Sequence, residues 1–295
     1  MRESAVFLWA LRAVWLTLPL SAGNAVNAAL GGWSTGSQVV AAVLLWATWA
    51  AGVVAVLAPR PVGLTVLRTA APCLVAAAIA TAIGERASAG AAALAVGATT
   101  AAWVLAATPD VGRACADGVA YGDERRFPMK VPPALFLGPL PVAVALVGAG
   151  IAAGPLLLAD ERIVSGIVAV VVGVPIAFLL ARALHGLSRR WAVLVPAGLV
   201  VADSLTLADP VLIPRDRIAG LSPHSGAAPP GLALDLRLGA VARSVAMALT
   251  TEADVLVAGR FGRGGTSVCT NTLLFAPVAR EELLLLAAER RIPVR

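Results

Sequence analysis

The stretch Ile163-Val-Ser-Gly-Ile-Val-Ala-Val-Val-Val-Gly-Val-Pro-Ile-Ala-Phe-Leu-Leu-Ala-Arg-Ala-Leu184, continuing as His185-Gly-Leu-Ser-Arg-Arg-Trp-Ala-Val-Leu-Val195, changes character part-way along. Its first part carries no charge before Arg182 and is long enough for a membrane-crossing helix, which needs about 20 predominantly apolar residues. Its second part brings two adjacent arginines and then a short β-type run, Trp191 to Val195. One chain meets two solvents, and the division falls near Ser188.

Toward the N-terminus the same rule selects further spans at 11–30, 37–58, 62–83, 88–108 and 133–157, so that 163–184 is the sixth. Short connections separate most of them: Gly31 to Gly36, Pro59 to Pro61, Gly84 to Ser88, and Ala159 to Arg162. The segment 109–132 is different, carrying Asp110, Arg113, Asp117, Asp123, Glu124, Arg125, Arg126 and Lys130. It is polar and too long for a hairpin turn, and is expected in water or at the headgroups. The sequence therefore predicts six transmembrane helices over 1–187, with a cytoplasmic loop at 109–132. A soluble, mainly-β cytoplasmic domain ending in one helix is expected over 188–295.

Composition agrees. The 295 residues are 59% hydrophobic and 14% charged, with a mean hydropathy of +0.86, whereas soluble domains run near 45–50% apolar and about 25% charged. A wholly soluble enzyme and a disordered chain, which needs the opposite composition, are both excluded. There are 23 basic and 17 acidic residues, and Lys130 is the single lysine. In a soluble domain that excess would point to nucleic acid. In a membrane protein arginines collect in cytoplasmic loops, so no nucleic-acid partner is expected.

With the N-terminus inside, the inner bases are Arg2, Arg60, Arg113, Arg125, Arg126, Lys130, Arg182, Arg189 and Arg190, against only Arg86 and Arg162 outside. That bias predicts a multi-pass cell-membrane protein with both termini cytoplasmic. A cleaved signal peptide ending near Ala28 is disfavoured, because Arg12 interrupts the apolar run that a signal needs. Arg12 and Arg68 lie in or near spans, where an ionisable group marks a functional site by default. Both are close enough to the cytoplasmic end for their side chains to snorkel to the phosphates. No Asp or Glu falls inside a span, so the acidic relay of a proton-coupled transporter is not in view. Gly148-Ala149-Gly150 and the Ala-rich fourth span suit close helix packing.

Residues 188–295 hold 12 Arg and 9 Asp or Glu among 108, near the soluble norm. Strands are predicted at Trp191 to Val195, Gly198 to Ala202, Leu205 to Ala208, Val211 to Ile213, 243–249, 253–258 and 266–275. Another is expected where Leu232, Leu234, Leu236 and Leu238 alternate with other residues. Gly259 to Gly265 is the turn of a hairpin between the last two strands. Glu281 to Arg291 reads as a helix with acids in its first turn and bases in its last.

The motifs that carry chemistry are few. Gly262 to Ser267 lacks the lysine and the following helix of a phosphate-binding P-loop, although Arg260 and Arg263 are candidates for contact with an anionic headgroup. His224 sits in the breaker-rich loop 222–230 without a nucleophile or second ligand nearby. Asp203 and Asp209 bracket a turn, a normal place for Asp. Cys73, Cys115 and Cys269 are isolated from one another, so no metal, cofactor or disulfide framework is expected. The segment Tyr121, Asp123, Glu124, Arg125 and Arg126 is the candidate docking loop for the C-terminal domain. Surface charge pairs are worth only about 0–1 kcal/mol each, so docking also needs apolar contacts, for which Phe127 and Met129 are available.

The run Trp191-Ala-Val-Leu-Val-Pro-Ala-Gly-Leu-Val-Val-Ala-Asp203, followed by Asp209-Pro-Val-Leu-Ile-Pro-Arg-Asp-Arg-Ile218, resembles the opening of bacterial PH-like domains found beside membrane spans. In that family a strand, a Gly-Leu turn, a second strand and an I-P-x-x-x-I strand recur. The resemblance covers about a third of the chain and implies a small barrel closed by a C-terminal helix. The whole chain is also similar to actinobacterial polytopic membrane proteins with a loop like Tyr121-Gly-Asp-Glu-Arg-Arg126, which implies no activity. Lipid specificity is not carried over. With no catalytic constellation in view, the expectation is a non-enzymatic membrane protein whose cytoplasmic domain binds a partner protein or organises a membrane complex. The alternative is a transporter or channel component regulated by that domain.

Overall fold

A computed structural model describes residues 2–84, 86–229, 231–259 and 264–295. Six of its helices are long and apolar enough to cross a membrane: α1 (Arg2–Leu30), α2 (Thr35–Leu57), α3 (Pro61–Ile83), α4 (Ala89–Ala107), α7 (Pro139–Ala159) and α8 (Ile163–Leu187). Two short helices, α5 (Pro109–Asp117) and α6 (Pro133–Phe136), lie between the fourth and fifth of these. The chain forms two compact units, one of 1–118 with 140–185, the other of 119–139 with 186–295. They do not meet at a single cut near 187, because the inter-span segment is divided between them.

In the helical unit the connections start helices as their residues dictate. Ser34 and Ser88 accept backbone N–H groups of Ser37 and Ala91 at 3.3 Å, capping α2 and α4, and Pro61 and Pro109 open α3 and α5, where the missing N–H costs nothing. The core is built from Leu11, Trp15, Leu67, Ala71, Ala102 and Ala106. Trp15 and Trp49 are cross-bonded, each indole N–H donating to the other's backbone carbonyl at 3.0 Å. Gly52 makes room for this pair, since a Cβ there would stand 2.0 Å from the Trp15 ring. α7 and α8 meet through small residues, with a Cβ on Gly150 falling 2.5 Å from the Gly173 carbonyl oxygen. Residues 109–117 are not simply solvated: Val111, Cys115 and Ala116 of α5 are buried in this unit.

The β unit has two four-stranded sheets and a closing helix. The first runs β1 (Arg125–Pro128), β2 (Trp191–Val195), β3 (Gly198–Ala202), β4 (Val211–Pro214), antiparallel throughout. A 3-10 turn, Arg215–Arg217, carries the chain to β5 (Ile218–His224) of the second sheet. That sheet is ordered β5, β7 (Ser244–Ala258), β8 (Gly265–Phe275), β6 (Ala233–Asp235), with β6 and β8 parallel. Helix α9 (Arg280–Glu289) packs Leu283, Leu284 and Ala287 onto the shared core. Beyond it Leu221 and Arg295 exchange backbone bonds with the final residues and β5, both at 2.8 Å.

The differences from the sequence reading have local causes. Runs 243–249 and 253–258 are one strand, irregular between Ala248 and Ala253. Leu205 to Ala208 forms a turn with one bridge, Leu207 to Val257, because the Asp203 carboxylate accepts the Leu205 N–H at 3.0 Å and its carbonyl accepts that of Leu207 at 2.8 Å. The alternating leucines yield only three paired residues, since Leu238 and Gly239 both turn to positive φ. Strand β5 has no strand pattern in the sequence because Gly220 and Pro223 break it, and β1 has none because half of it is charged. Ala258 pairs with Gly265 as a hairpin requires. The candidate contacts Arg260 and Arg263 lie outside the described residues.

Candidate functional site

The site of interest is where the inter-span segment enters the β unit. Arg125 faces Leu194, Arg126 faces Val193, Phe127 faces Ala192 and Pro128 faces Trp191 across an antiparallel ladder. The other side of the segment is also bonded: Val278 N–H to Pro128 O at 2.9 Å and Lys130 N–H to Ala276 O at 2.8 Å. Residues 125–130 thus bridge the first sheet and the end of the second. Phe127 and Met129 supply buried apolar surface to the common core.

Two of the loop's charges, Glu124 and Arg126, pair with each other within the β unit. Glu124 accepts the Tyr121 N–H at 3.3 Å and the Arg126 guanidinium at 3.0 Å. The Arg126 side chain, whose hydrogen bond does most of it, holds the Glu124 carboxyl below the usual carboxylate range. Arg126 also lies over the Trp191 ring, 4.9 Å from its centroid. The Asp123 carbonyl accepts from Arg290. The Tyr121 ring is left 86% exposed.

Beneath this segment lies a pair that the sequence reading placed elsewhere. Arg190, counted there among the loop bases, is 2% exposed and donates to both oxygens of the buried Asp203 carboxylate at 2.8 and 2.7 Å. It donates further to Lys130 O at 2.8 Å and Leu236 O at 3.1 Å, tying β1's end, β2's start, β3's end and the residue after β6. Asp203 does cap a turn, as read, but its larger role is this pair. Only the spacing of Arg190 and Asp203 just outside two paired strands could have betrayed it. A second fork joins Arg237 to Asp235 at 2.8 and 2.7 Å, and that bonding holds the Asp235 carboxyl low. Arg237 also reaches Gly226 O at 2.8 Å. His224 is not in an open loop: it ends β5, half-buried, with its carbonyl accepting from Ser244 at 2.9 Å.

In the helical unit Arg12 donates to Val56 O at 2.8 Å and Arg68 to Ala106 O at 3.2 Å. These carbonyls are in the last turns of α2 and α4, where intrahelical partners run out and the helix dipole favours a cation. Each arginine finishes a neighbouring helix. The chain matches no protein-family model, and neither a curated protein nor a solved structure is significantly similar to it.

Proposed function

We propose that the chain is a multi-pass membrane protein, with both termini and the β unit on the cytoplasmic side of the cell membrane. In this reading the β unit is a non-enzymatic platform that binds a partner protein or organises a membrane complex. The observation that carries it is the pairing of Arg125–Pro128 with Trp191–Val195. Paired segments share one side of a bilayer, and the two helices between them, α7 and α8, return the chain to that side. The β unit is joined to the helical unit at three points of the chain, at 118/119, 139/140 and 185/186. Its kinship to PH-like domains is supported by seven strands and then a helix after residue 188. The parallel β6–β8 pair and the strand from between spans fall outside that pattern.

The alternative, a transporter component, has one observation in its favour: a cavity of about 290 Å³ among α1 to α4, bordered by Trp46, Trp49, Asn27 and Thr99. Its walls are mainly apolar, which suits a hydrophobic cargo and not an ion.

A photo-crosslinking amino acid at Tyr121 or at Leu285, itself 68% exposed, tests the platform reading in the full-length chain in native membranes. The same protein captured from both positions, and not from Val171 on α8, is the expected result. Capture of nothing, or of one set from all three, ends the platform reading and moves work to transport of hydrophobic compounds.

A further inference from the structure

We infer that the β unit carries a binding site for a small phosphorylated anion bearing two or more negative charges, at the C-terminal end of α9. A cavity of about 390 Å³ there is walled by Arg125, Arg215, Arg290 and Arg291, with Asp123 and Glu289 beside them. Small-molecule sites begin at about this size. The four arginines come from three parts of the chain: the inter-span strand, the 3-10 turn and the end of α9.

Among the described residues none of the four is paired with a carboxylate. Arg125 donates to Glu124 O at 3.1 Å and Arg290 to Asp123 O, both neutral acceptors, and the Arg290 Nη1 is buried without an acceptor. The guanidinium groups of Arg215 and Arg291 have no partner among these residues. The dipole of α9 accounts for bases at 290 and 291, but not for Arg125 and Arg215, which arrive from elsewhere. Like charges gathered at one cavity repel unless a counter-charge sits among them. Four cations against two carboxylates leave an excess of two, which a dianion or a more highly charged group neutralises. The planar guanidinium fork matches phosphate oxygens. The phosphate belongs either to a soluble metabolite or to a lipid headgroup. Asp123 and Arg125 also belong to the segment joining α5 to α7, so occupancy bears on that connection.

The test uses the full chain in neutral detergent. Calorimetric titration with inorganic pyrophosphate reads the soluble arm, and native mass spectrometry of phosphatidate against phosphatidylcholine retention reads the lipid arm. Arg215→Gln/Arg291→Gln, both exposed positions, is expected to weaken binding in the operative arm about tenfold or more. Arg189→Gln/Arg217→Gln removes equal charge from outside the cavity and is expected to weaken it less than about twofold. Glu289→Gln tightens it. Binding of pyrophosphate assigns a soluble ligand, and selective phosphatidate retention alone assigns a headgroup. Equal losses in the two double variants, or no binding in either arm, overturn the site.

Discussion

The two units bury arginine in opposite ways. In the helical unit Arg12 and Arg68 reach neutral carbonyls at the ends of neighbouring helices and have no carboxylate there among the described residues. In the β unit Arg190 and Arg237 are almost wholly enclosed and gripped by bidentate carboxylates. The cores differ in the same sense. The helical unit packs tryptophan and leucine against alanine and glycine, while large side chains such as Val171, Phe178 and Leu179 stay exposed on its surface. The β unit builds its core from inward-facing leucines, valines and phenylalanines such as Leu194, Val245 and Phe275. A chain whose surroundings are lipid gains little by hiding apolar surface and holds together by close fit. One surrounded by water is held by burial, and its enclosed charges must be matched.

Unmatching one buried charge should cost more stability than any other single change to an arginine pair. Asp203→Ala leaves Arg190 enclosed without its counter-ion and is expected to destabilise the β unit by about 3–5 kcal/mol, read as protease sensitivity and a lowered Tm of the full chain. Arg12→Gln removes a single bond to a carbonyl and is expected to cost about 1 kcal/mol. Equal effects would mean that the two units do not use arginine differently.

Close fit is tested at Gly52. Gly52→Val drives a side chain into the Trp15 ring, where even a Cβ stands 2.0 Å away. It is expected to destabilise the helical unit by about 1–3 kcal/mol. Gly97→Ala, where a Cβ meets nothing within 4 Å, is expected to be neutral or to stabilise by up to about 1 kcal/mol. Similar losses at both positions would show that helix propensity, not fit, sets the outcome.

Thiol labelling separates enclosed from open surface. Burial pushes the Cys115 thiol up to about 11, and it should stay unmodified until the chain is denatured. Cys269 is exposed, but its hydrogen bond to Glu252 pushes its thiol up as well. Its labelling should be slow at neutral pH and accelerate as pH rises and the thiolate forms. With a membrane-impermeant maleimide, Cys269 in intact cells is expected to react only after permeabilisation. Reaction beforehand overturns the cytoplasmic placement.

The smallest effect is at Glu281. Its own backbone N–H first, and then Arg243, hold its carboxyl at about 2 against an ordinary 4.5. A lowered folded-state value means that the contribution is present above the unfolded value and fades as pH falls through about 2. The Tm difference between the native chain and Glu281→Gln should therefore shrink toward pH 2, and also in high salt. A difference that grows on acidification reverses the sign and refutes this account.

The helices were legible because lipid-crossing segments announce themselves by length and apolarity, and four of the six match both expected bounds within a few residues, while α1 begins earlier and α7 later than expected. Strands β2 and β3 were legible because Pro196-Ala197 lies between two apolar runs. Strand β1 was hidden. Arg125-Arg126-Phe127-Pro128 reads as a charged loop, and its partners lie more than a whole helical hairpin further along the chain. The docking segment was singled out for its charges. What inserts it is a backbone ladder with Phe127 and Met129 beneath, while Glu124 and Arg126 pair with each other. The Arg190–Asp203 pair was illegible for a related reason: each half, taken alone, has an ordinary place, at a membrane edge or in a turn.

The strand between spans also orders events during synthesis. Arg125–Pro128 leaves the ribosome before α7 and α8, yet its partners at Trp191–Val195 and 276–278 are made only after both. Domains usually close as their own stretch of chain is completed, but this one must wait for a helical hairpin to be inserted. A nascent chain stalled or misinserted at that stage presents an unpaired strand edge, a template for aggregation and a mark for proteolysis. The β unit can therefore be completed only after α7 and α8 have both been made.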